Sequence, residues 1–245
     1  MSKTHRIAFA LAALGSLSLA GCHAPGKPEP EVARPEQLQD FAPLYKQNCA
    51  ACHGEEGRSG LAVSLANPVY IAIAGKQAIL NATAKGGPGA LMPAFARKHG
   101  GTLTDQQVEI LAEGIIHHWG RSGVLGGETP PSYAATLTGD TSAGETAFHA
   151  YCARCHSASN ESQPASVKKI DAGSLTDPSY LALISDQSLR STILSGRPDE
   201  GMPDWRGFTS HPLTDQQITD IVAWLASQRK TEKISRPGAS QGAQQ

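Results

Sequence analysis

The pentapeptide Cys-Ala-Ala-Cys-His at residues 49–53 returns as Cys-Ala-Arg-Cys-His at residues 152–156. Both copies place two cysteines three positions apart and follow the second cysteine directly with a histidine. Because residues three and four apart lie on one face of a helix, this spacing gathers two sulfur atoms and one imidazole on one side of a short helical turn. The chain has five cysteines in 245 residues, and the two pentapeptides use four of them.

The sequence around the pentapeptides is also duplicated, at a constant offset of 110 residues. The pentapeptides themselves are offset by 103, so the second copy has seven more residues between its histidine and the duplicated stretch. Duplication on this scale indicates two copies of one folded unit, which we predict over residues 41–120 and 141–230. The matched stretches are 64–77 with 174–187, 86–95 with 196–205, and 103–108 with 213–218.

Each unit is predicted to be helical, which gives an all-α fold of two tandem small domains. Apolar residues follow Thr104 and Thr214 at helical spacing, and both threonines are suited to cap a helix N-terminus. Aromatic residues make up only 5% of the chain. Small domains with few aromatic residues usually need a disulfide, a metal or a buried cofactor for stability.

The first 21 residues have the features of an export signal. Lys3 and Arg6 precede an apolar run from Ile7 to Ala20 that is too short to span a membrane. The run ends in Leu-Ala-Gly-Cys, which resembles the lipobox of bacterial lipoproteins, with Cys22 as the lipidated residue. We therefore expect a periplasmic protein, or one on the outer face of a bacterial membrane, that is lipid-anchored. An ordinary signal peptide with a chance cysteine is the alternative.

Three further segments are predicted to lie outside the folded units. Residues 22–40 are rich in proline and are expected to form a solvated tether. Residues 121–140 have the composition of a linker, and the polar residues 231–245 are expected to be a disordered tail. The formal net charge is −1 and there is no run of basic residues, so nothing indicates nucleic-acid binding.

C-x-x-C-H is the attachment sequence of c-type haem. In this interpretation Cys49 and Cys52 form thioether bonds to one haem and His53 binds its iron. Cys152, Cys155 and His156 repeat the arrangement for a second haem c. The alternatives are a redox-active cysteine pair, a zinc site and structural disulfides. The first needs no histidine, and a zinc site normally spaces its C-x-x-C pairs by 15 to 20 residues.

The methionines supply a second axial ligand for each iron. Only three methionines occur, and apart from Met1 they are Met92 and Met202, each followed by proline at equivalent positions. A thioether is a soft ligand of low-spin haem iron, although methionines also fill gaps in cores. Arg190, Arg197 and Lys85 could pair with haem propionates or lie on the surface. The remaining histidines are not expected to bind iron: His99, His117, His118, His149 and His211. The alternative is that His99, His117 or His118 displaces Met92 in the first unit.

With these motifs in place, each unit resembles a class I cytochrome c domain, and the chain resembles a tandem dihaem cytochrome of bacterial lipoprotein type. The resemblance covers residues 41–230 and implies small helical domains, each wrapped around a covalently bound haem. The family often packs a glycine and an aromatic residue of the first helix against an aromatic residue of the last. Gly144, Phe148 and Trp224 match that pattern. The first unit departs from it, with Phe41 and Tyr45 on the first helix and Gly114 on the last, so its crossing is looser or Trp119 substitutes.

The function expected from these features is electron transfer by a membrane-tethered dihaem cytochrome. It would serve as a carrier or as a redox subunit of a respiratory complex. Its partners would be redox donors and acceptors, such as a quinol-oxidising complex or a terminal oxidase. No catalytic residue is identified. The alternative is a dihaem enzyme, either peroxidase-like or thiosulfate-oxidising, and the absence of a spare cysteine counts against the thiosulfate reaction.

Overall fold

The structure is a computed structural model that describes residues 34–88, 91–156, 172–208 and 211–229. In these residues the chain is helical, with no strands and only two isolated bridges, Ala96–Leu103 and Arg197–Met202. The all-α prediction is confirmed. The signal segment with Cys22, most of the predicted tether, and the tail 231–245 lie outside the described residues. Both repeats belong to one compact unit that begins at Leu38, while Pro35–Gln37 forms a short 3-10 turn in a separate unit.

Each repeat builds its helices in the same order. Those of the first repeat are α1 (Phe41–Asn48), α2 (Ala50–His53), α3 (Pro68–Lys85) and α4 (Asp105–Trp119). Those of the second are α5 (Thr141–Tyr151), α6 (Ala153–His156), α7 (Pro178–Leu183), α8 (Asp186–Ser195) and α9 (Asp215–Ser227). Thr104 and Thr214 cap α4 and α9 in full capping boxes with the glutamine three residues on, which confirms the predicted helix starts.

The extra helix of the second repeat comes from a break that both repeats share. Within α3 the chain leaves helical geometry at Gly75, whose φ of 68° is the left-handed region that glycine tolerates. At the equivalent position Ser185 is the N-cap of α8 and accepts a hydrogen bond from Ser188 N. One repeat therefore breaks its helix with a glycine and the other with a cap, so α3 corresponds to α7 and α8 together.

The core consists of two hydrophobic clusters, one for each repeat. At the boundary, some residues pack in the cluster of the other repeat. Val69 of α3 belongs to the cluster of the second repeat, and Ile73 packs against it. Tyr133, from the segment between the repeats, packs against the first cluster and lies edge-on to Tyr70 with ring centroids 6.3 Å apart. The repeats are therefore packed against each other and share buried apolar surface.

The first and last helices of each repeat cross at a glycine. The first helix carries this glycine in the second repeat, and the last helix carries it in the first repeat. In the second repeat it is Gly144 of α5, where an added Cβ would lie 2.0 Å from the carbonyl oxygen of Asp220. Phe148 then packs against Trp224 with centroids 4.5 Å apart. In the first repeat Phe41 stands where Gly144 would align and Gly114 stands where Trp224 would align. A Cβ on Gly114 would lie 2.0 Å from the Phe41 ring.

Trp119 supplies the aromatic partner of α1 in the first repeat. Its ring meets the rings of Phe41 and Tyr45 edge-on, at centroid distances of 5.8 and 5.1 Å. The sequence offered a looser crossing or substitution by Trp119, and the structure shows the substitution. Large and small side chains have exchanged places across the crossing, which keeps its volume filled.

The segment 121–140 packs against the second repeat along much of its length. Val124 and Leu125 contact the second cluster, and a Cβ on Gly139 would lie 2.5 Å from that of Ala223 in α9. Arg190 of α8 is almost fully buried and binds this segment through its donors to Ser132 O at 2.7 and 2.9 Å. The same guanidinium donates to the side chains of Thr219 and Asp215 on α9, so it ties three parts of the chain together.

The crossing predicts unequal effects for alanine at the two glycines. We expect Gly144→Ala to lower the free energy of unfolding by about 1–3 kcal/mol, the usual cost of overpacking, because the opposing atom is backbone and cannot turn away. Gly114→Ala should cost less, because the ring of Phe41 can rotate. Thermal unfolding measures both, with Glu145→Ala on the exposed face of α5 as the control. Equal losses in the two glycine variants would contradict this account of the crossing.

The buried hydrogen bonds of Arg190 predict that its substitution strongly destabilises the protein. Arg190→Met should lower the free energy of unfolding by roughly 3 kcal/mol, because it removes the buried donor of the Ser132 carbonyl and of the partly buried Asp215 carboxylate at once. Arg229 serves as a matched control, because it also pairs with an aspartate and backbone carbonyls of the second repeat but its side chain is 30% exposed. Urea unfolding of Arg190→Met and Arg229→Met compares them, and a loss in the control as large as that in Arg190→Met would refute the assigned role of burial.

Candidate haem sites

The two cysteine-histidine motifs adopt the same backbone turn. Cys49 joins α1 to α2 with φ −119° and ψ −36°, and Cys152 has φ −114° and ψ −37° at the equivalent place. The carbonyl oxygen of Cys49 accepts hydrogen bonds from the amides of Cys52 and His53 at 3.2 and 3.0 Å, and that of Cys152 makes the same two bonds at 3.0 Å. The spacing of the motif therefore closes one helical turn in each repeat.

The sulfur atoms of each motif differ in burial. Cys49 and Cys152 are buried, whereas Cys52 is exposed and Cys155 is half-buried. Desolvation raises the pKa of the Cys49 and Cys152 thiols to about 12, with a smaller contribution from the neighbouring cysteine. A redox-active cysteine needs a lowered pKa, so this environment opposes the redox-pair alternative. It suits an uncharged sulfur, and the thiols here stand for the sulfur atoms of thioethers.

A backbone carbonyl orients the imidazole of each motif. His53 is buried, and its Nδ1 lies 2.8 Å from the carbonyl oxygen of Val63. His156 Nδ1 lies 3.2 Å from the carbonyl oxygen of Gly173. A histidine that donates from Nδ1 presents the Nε2 lone pair to a metal, and such a partner fixes the plane of the ring. Burial also lowers the pKa of His53, the hydrogen bond to Val63 acting against it, which favours the neutral imidazole that binds iron.

The two carbonyl partners hold equivalent positions, although the loops that lead to them differ in length. Val63 follows His53 by 10 residues and Gly173 follows His156 by 17, which is the seven-residue difference seen in the sequence. Sequence reasoning missed this partner, because a backbone carbonyl leaves no side-chain signal. The constant offset of 110 was the only clue.

The methionine loops also share their backbone. Met92 O accepts from Gly87 N at 2.9 Å, and Met202 O accepts from Arg197 N at the same distance. Each loop turns at a glycine with positive φ, 80° at Gly86 and 66° at Gly196. A Cβ on either glycine would lie 2.5 Å from the backbone of the methionine-proline pair, so only glycine admits the close return of the loop. Both methionine side chains are half-buried.

The donor atoms of these residues fit covalently bound haem better than a bare metal ion. Within the described residues, no three or more His, Cys, Asp and Glu side chains are grouped to hold a metal ion, so a zinc site has no support there. One buried side-chain nitrogen, Arg197 Nε, has no hydrogen-bond partner in this part of the chain. A buried donor of this kind calls for an acceptor, and a haem propionate is an acceptor that the chain itself does not contain.

The other sequence candidates have different roles. The expectation that Arg190 pairs with a propionate or lies on the surface is wrong, because its guanidinium is buried and bonded to Ser132, Thr219 and Asp215. Lys85 is exposed at the end of α3. His118 stacks on Phe41 with centroids 4.6 Å apart, at the outer face of the helix crossing. Four further histidines are exposed: His99, His117, His149 and His211.

The comparison with protein families agrees with this arrangement. A family model described as cytochrome c oxidase, cbb3-type, subunit III matches residues 36–113 and 139–225, one segment for each repeat. A chain of the Kuenenia stuttgartiensis reducing HAO-like protein complex is 17% identical over 79% of this chain and 97% of its own, with a TM-score of 0.42. That score is too low to define a shared fold. No curated protein matches the sequence.

The family model covers more than half of the chain, and its two segments coincide with the two helical repeats and their motifs. The chain therefore belongs to the cytochrome c oxidase, cbb3-type, subunit III family and consists of tandem cytochrome c domains.

Proposed function

We propose that the protein is a dihaem cytochrome c that transfers electrons on the exported side of a bacterial membrane. Bound haem c supplies an iron that gains and loses one electron. In each repeat two cysteines would hold the haem covalently, and a histidine and a methionine would bind its iron. The attachment residues would be Cys49 and Cys52, then Cys152 and Cys155, and the iron ligands would be His53 with Met92 and His156 with Met202.

The observation that carries this proposal is the duplicated carbonyl partner of the histidine. Val63 and Gly173 reach the same Nδ1 atom in both repeats across loops of different length. The same acceptor in both repeats holds the two rings in the same orientation. An iron ligand needs this, because rotation of the ring would turn Nε2 away from the metal.

The chain favours electron transfer over catalysis because it offers each iron two ligands. His53 is buried and so shielded from water, and the methionine of each loop would supply a second, soft ligand. With both ligands bound, the iron would have no position for a substrate. The dihaem enzyme remains the alternative, and it requires one methionine to dissociate.

The proposed location depends on the first residues of the chain. An export signal over residues 1–21 and a lipid on Cys22 would leave the domains tethered outside the cytoplasm. The family name points to a terminal oxidase as electron acceptor, with a quinol-oxidising complex as a possible donor. Within the described residues, no helix has the length and apolar character needed to cross a membrane.

The methionine ligands predict a selective spectroscopic effect. Met202→Ala should convert one of two low-spin haems to a form with a weak or exchangeable sixth ligand, while the other haem keeps its spectrum. Met92→Ala should do the same to the opposite haem. Absorption and electron paramagnetic resonance spectra of the oxidised proteins measure this change. Unchanged spectra in either variant would remove that methionine from the ligand set.

Two protein ligands on each iron also predict that the reduced protein does not react with carbon monoxide or peroxide. Wild-type protein should neither bind carbon monoxide nor turn over peroxide, because no iron position is open. Reduced Met202→Ala should bind about one carbon monoxide per chain and so provides the positive control. Binding by the wild type equal to that of the variant would support the enzyme instead of the carrier.

A further inference from the structure

The loop that follows the first attachment motif packs against the segment that leads to Met202 in the second repeat. Asn67 donates from Nδ2 to the carbonyl oxygen of Ser195 at 2.8 Å. Arg197 donates from Nη2 to the carbonyl oxygen of Gly60 at 2.9 Å. The amide of Ser59 donates to Asp199 Oδ2 at 3.2 Å. These three bonds join one short stretch of each repeat.

Asn67 is an asparagine where the equivalent N-cap of the second repeat, Asp177, is an aspartate, and the contact with Ser195 explains this difference. Both Asn67 and Asp177 cap a helix through a side-chain oxygen, which accepts from the amides two and three residues further on. A carboxylate performs that task equally well. Only an amide also has an N–H to donate, and Asn67 uses it on Ser195 while almost fully buried. The asparagine is therefore matched to the neighbouring repeat as well as to its own helix.

Arg197 is likewise found in one repeat only. Its counterpart is Gly87, which makes the same backbone bond to its methionine but carries no side chain. The main chain of Arg197 pairs with Met202 in both directions, N to O at 2.9 Å and O to N at 3.0 Å. Its guanidinium spans from Glu200, at 2.7 Å, to Gly60 of the first repeat. The residue thus connects the first repeat directly to the Met202 loop.

The contact also reaches the first attachment motif. A Cβ on Gly60 would lie 2.3 Å from the carbonyl oxygen of Cys52, so Gly60 lies directly against the attachment turn. Ser59 beside it has a φ of 60°, the one positive value of a non-glycine residue in the described chain. A strained residue persists only where its surroundings determine the conformation. Here the backbone of Ser59 is held by Asp199 of the second repeat.

We propose that Asn67 and Arg197 are positioning residues through which the first repeat sets the potential of the haem in the second. This inference rests on the proposed dihaem function and extends it from haem binding to control of the second haem's potential. Asn67 holds the chain at Ser195. Arg197 pairs with Met202 through its main chain, and its guanidinium, which also pairs with Glu200, adds a positive charge to the loop that carries Met202. A nearby cation disfavours the more positive ferric state and so raises the potential.

The test is a redox titration followed by absorption, on full-length protein whose haem content has been measured first. Arg197→Gln removes the charge, the bond to Gly60 and the Nε donor assigned above to a propionate. Asn67→Asp keeps the helix cap, removes the donor to Ser195 and adds a negative charge at the interface. Both should lower the potential of one haem and leave the other nearly unchanged. Repeating the titration in the Met202→Ala background identifies the affected haem as that of the second repeat.

Two variants serve as matched controls. Asp177→Asn makes the reverse change at the equivalent cap, which has no partner in the other repeat among its described contacts. Arg229→Gln removes one arginine of the second repeat that bonds only within that repeat. Both should leave the two potentials at their wild-type values. Thermal unfolding of every variant separates loss of fold from loss of positioning.

The outcomes separate this inference from the proposed function. A lowered potential confined to the second haem in Arg197→Gln and Asn67→Asp supports the positioning role of both residues. Two normal haems whose potentials ignore both substitutions, or follow the controls equally, would overturn it and leave the dihaem function standing. Fewer than two haems per chain would refute the proposed function itself. If Arg197→Gln does not fold, Asn67→Asp alone decides the question, because its helix cap is retained.

Discussion

A hydrogen bond between a histidine Nδ1 and a backbone carbonyl is the constraint on which each site depends. The two cysteines close a helical turn, but they leave the imidazole of His53 free to rotate about its own bonds. The carbonyl of Val63 removes that freedom at 2.8 Å. The loop after the motif must therefore return to the histidine. On the way it brings Gly60 so close to the carbonyl oxygen of Cys52 that no side chain would fit there.

Duplication preserved the backbone of the sites and allowed the side chains between helices to exchange. The second loop grew by seven residues, yet Gly173 meets His156 as Val63 meets His53. At the helix crossing, a large and a small residue changed places, because the crossing needs one glycine but does not specify which helix carries it. The need to orient the histidine therefore conserves the backbone of the attachment loop. The helix crossing conserves only the volume that its side chains fill.

Much of this could be predicted from the sequence because the signals are local. The attachment turn, the capping boxes at Thr104 and Thr214, and the all-α class all follow from spacing within a few residues. The carbonyl partners could not be predicted, since they are backbone atoms. Arg190 was misassigned because a segment rich in Gly, Pro, Ser and Thr was expected to be a plain linker. That segment instead packs on the second repeat and buries the guanidinium.

The contact between the repeats gives the order of the two domains a physical meaning. An isolated second repeat would expose the Ser195 carbonyl that Asn67 satisfies and release the guanidinium of Arg197 from Gly60. Its methionine loop would keep its turn at Gly196 but lose the groups that hold it from outside. An isolated first repeat would lose the groups that hold Ser59 and Gly60 beside its attachment turn. It would lose no donor to its own methionine loop, because Gly87 has no side chain to anchor. For the methionine loops, therefore, the dependence runs one way. The first repeat can serve as the support of the second, and an exchange of the two domains would not reproduce it.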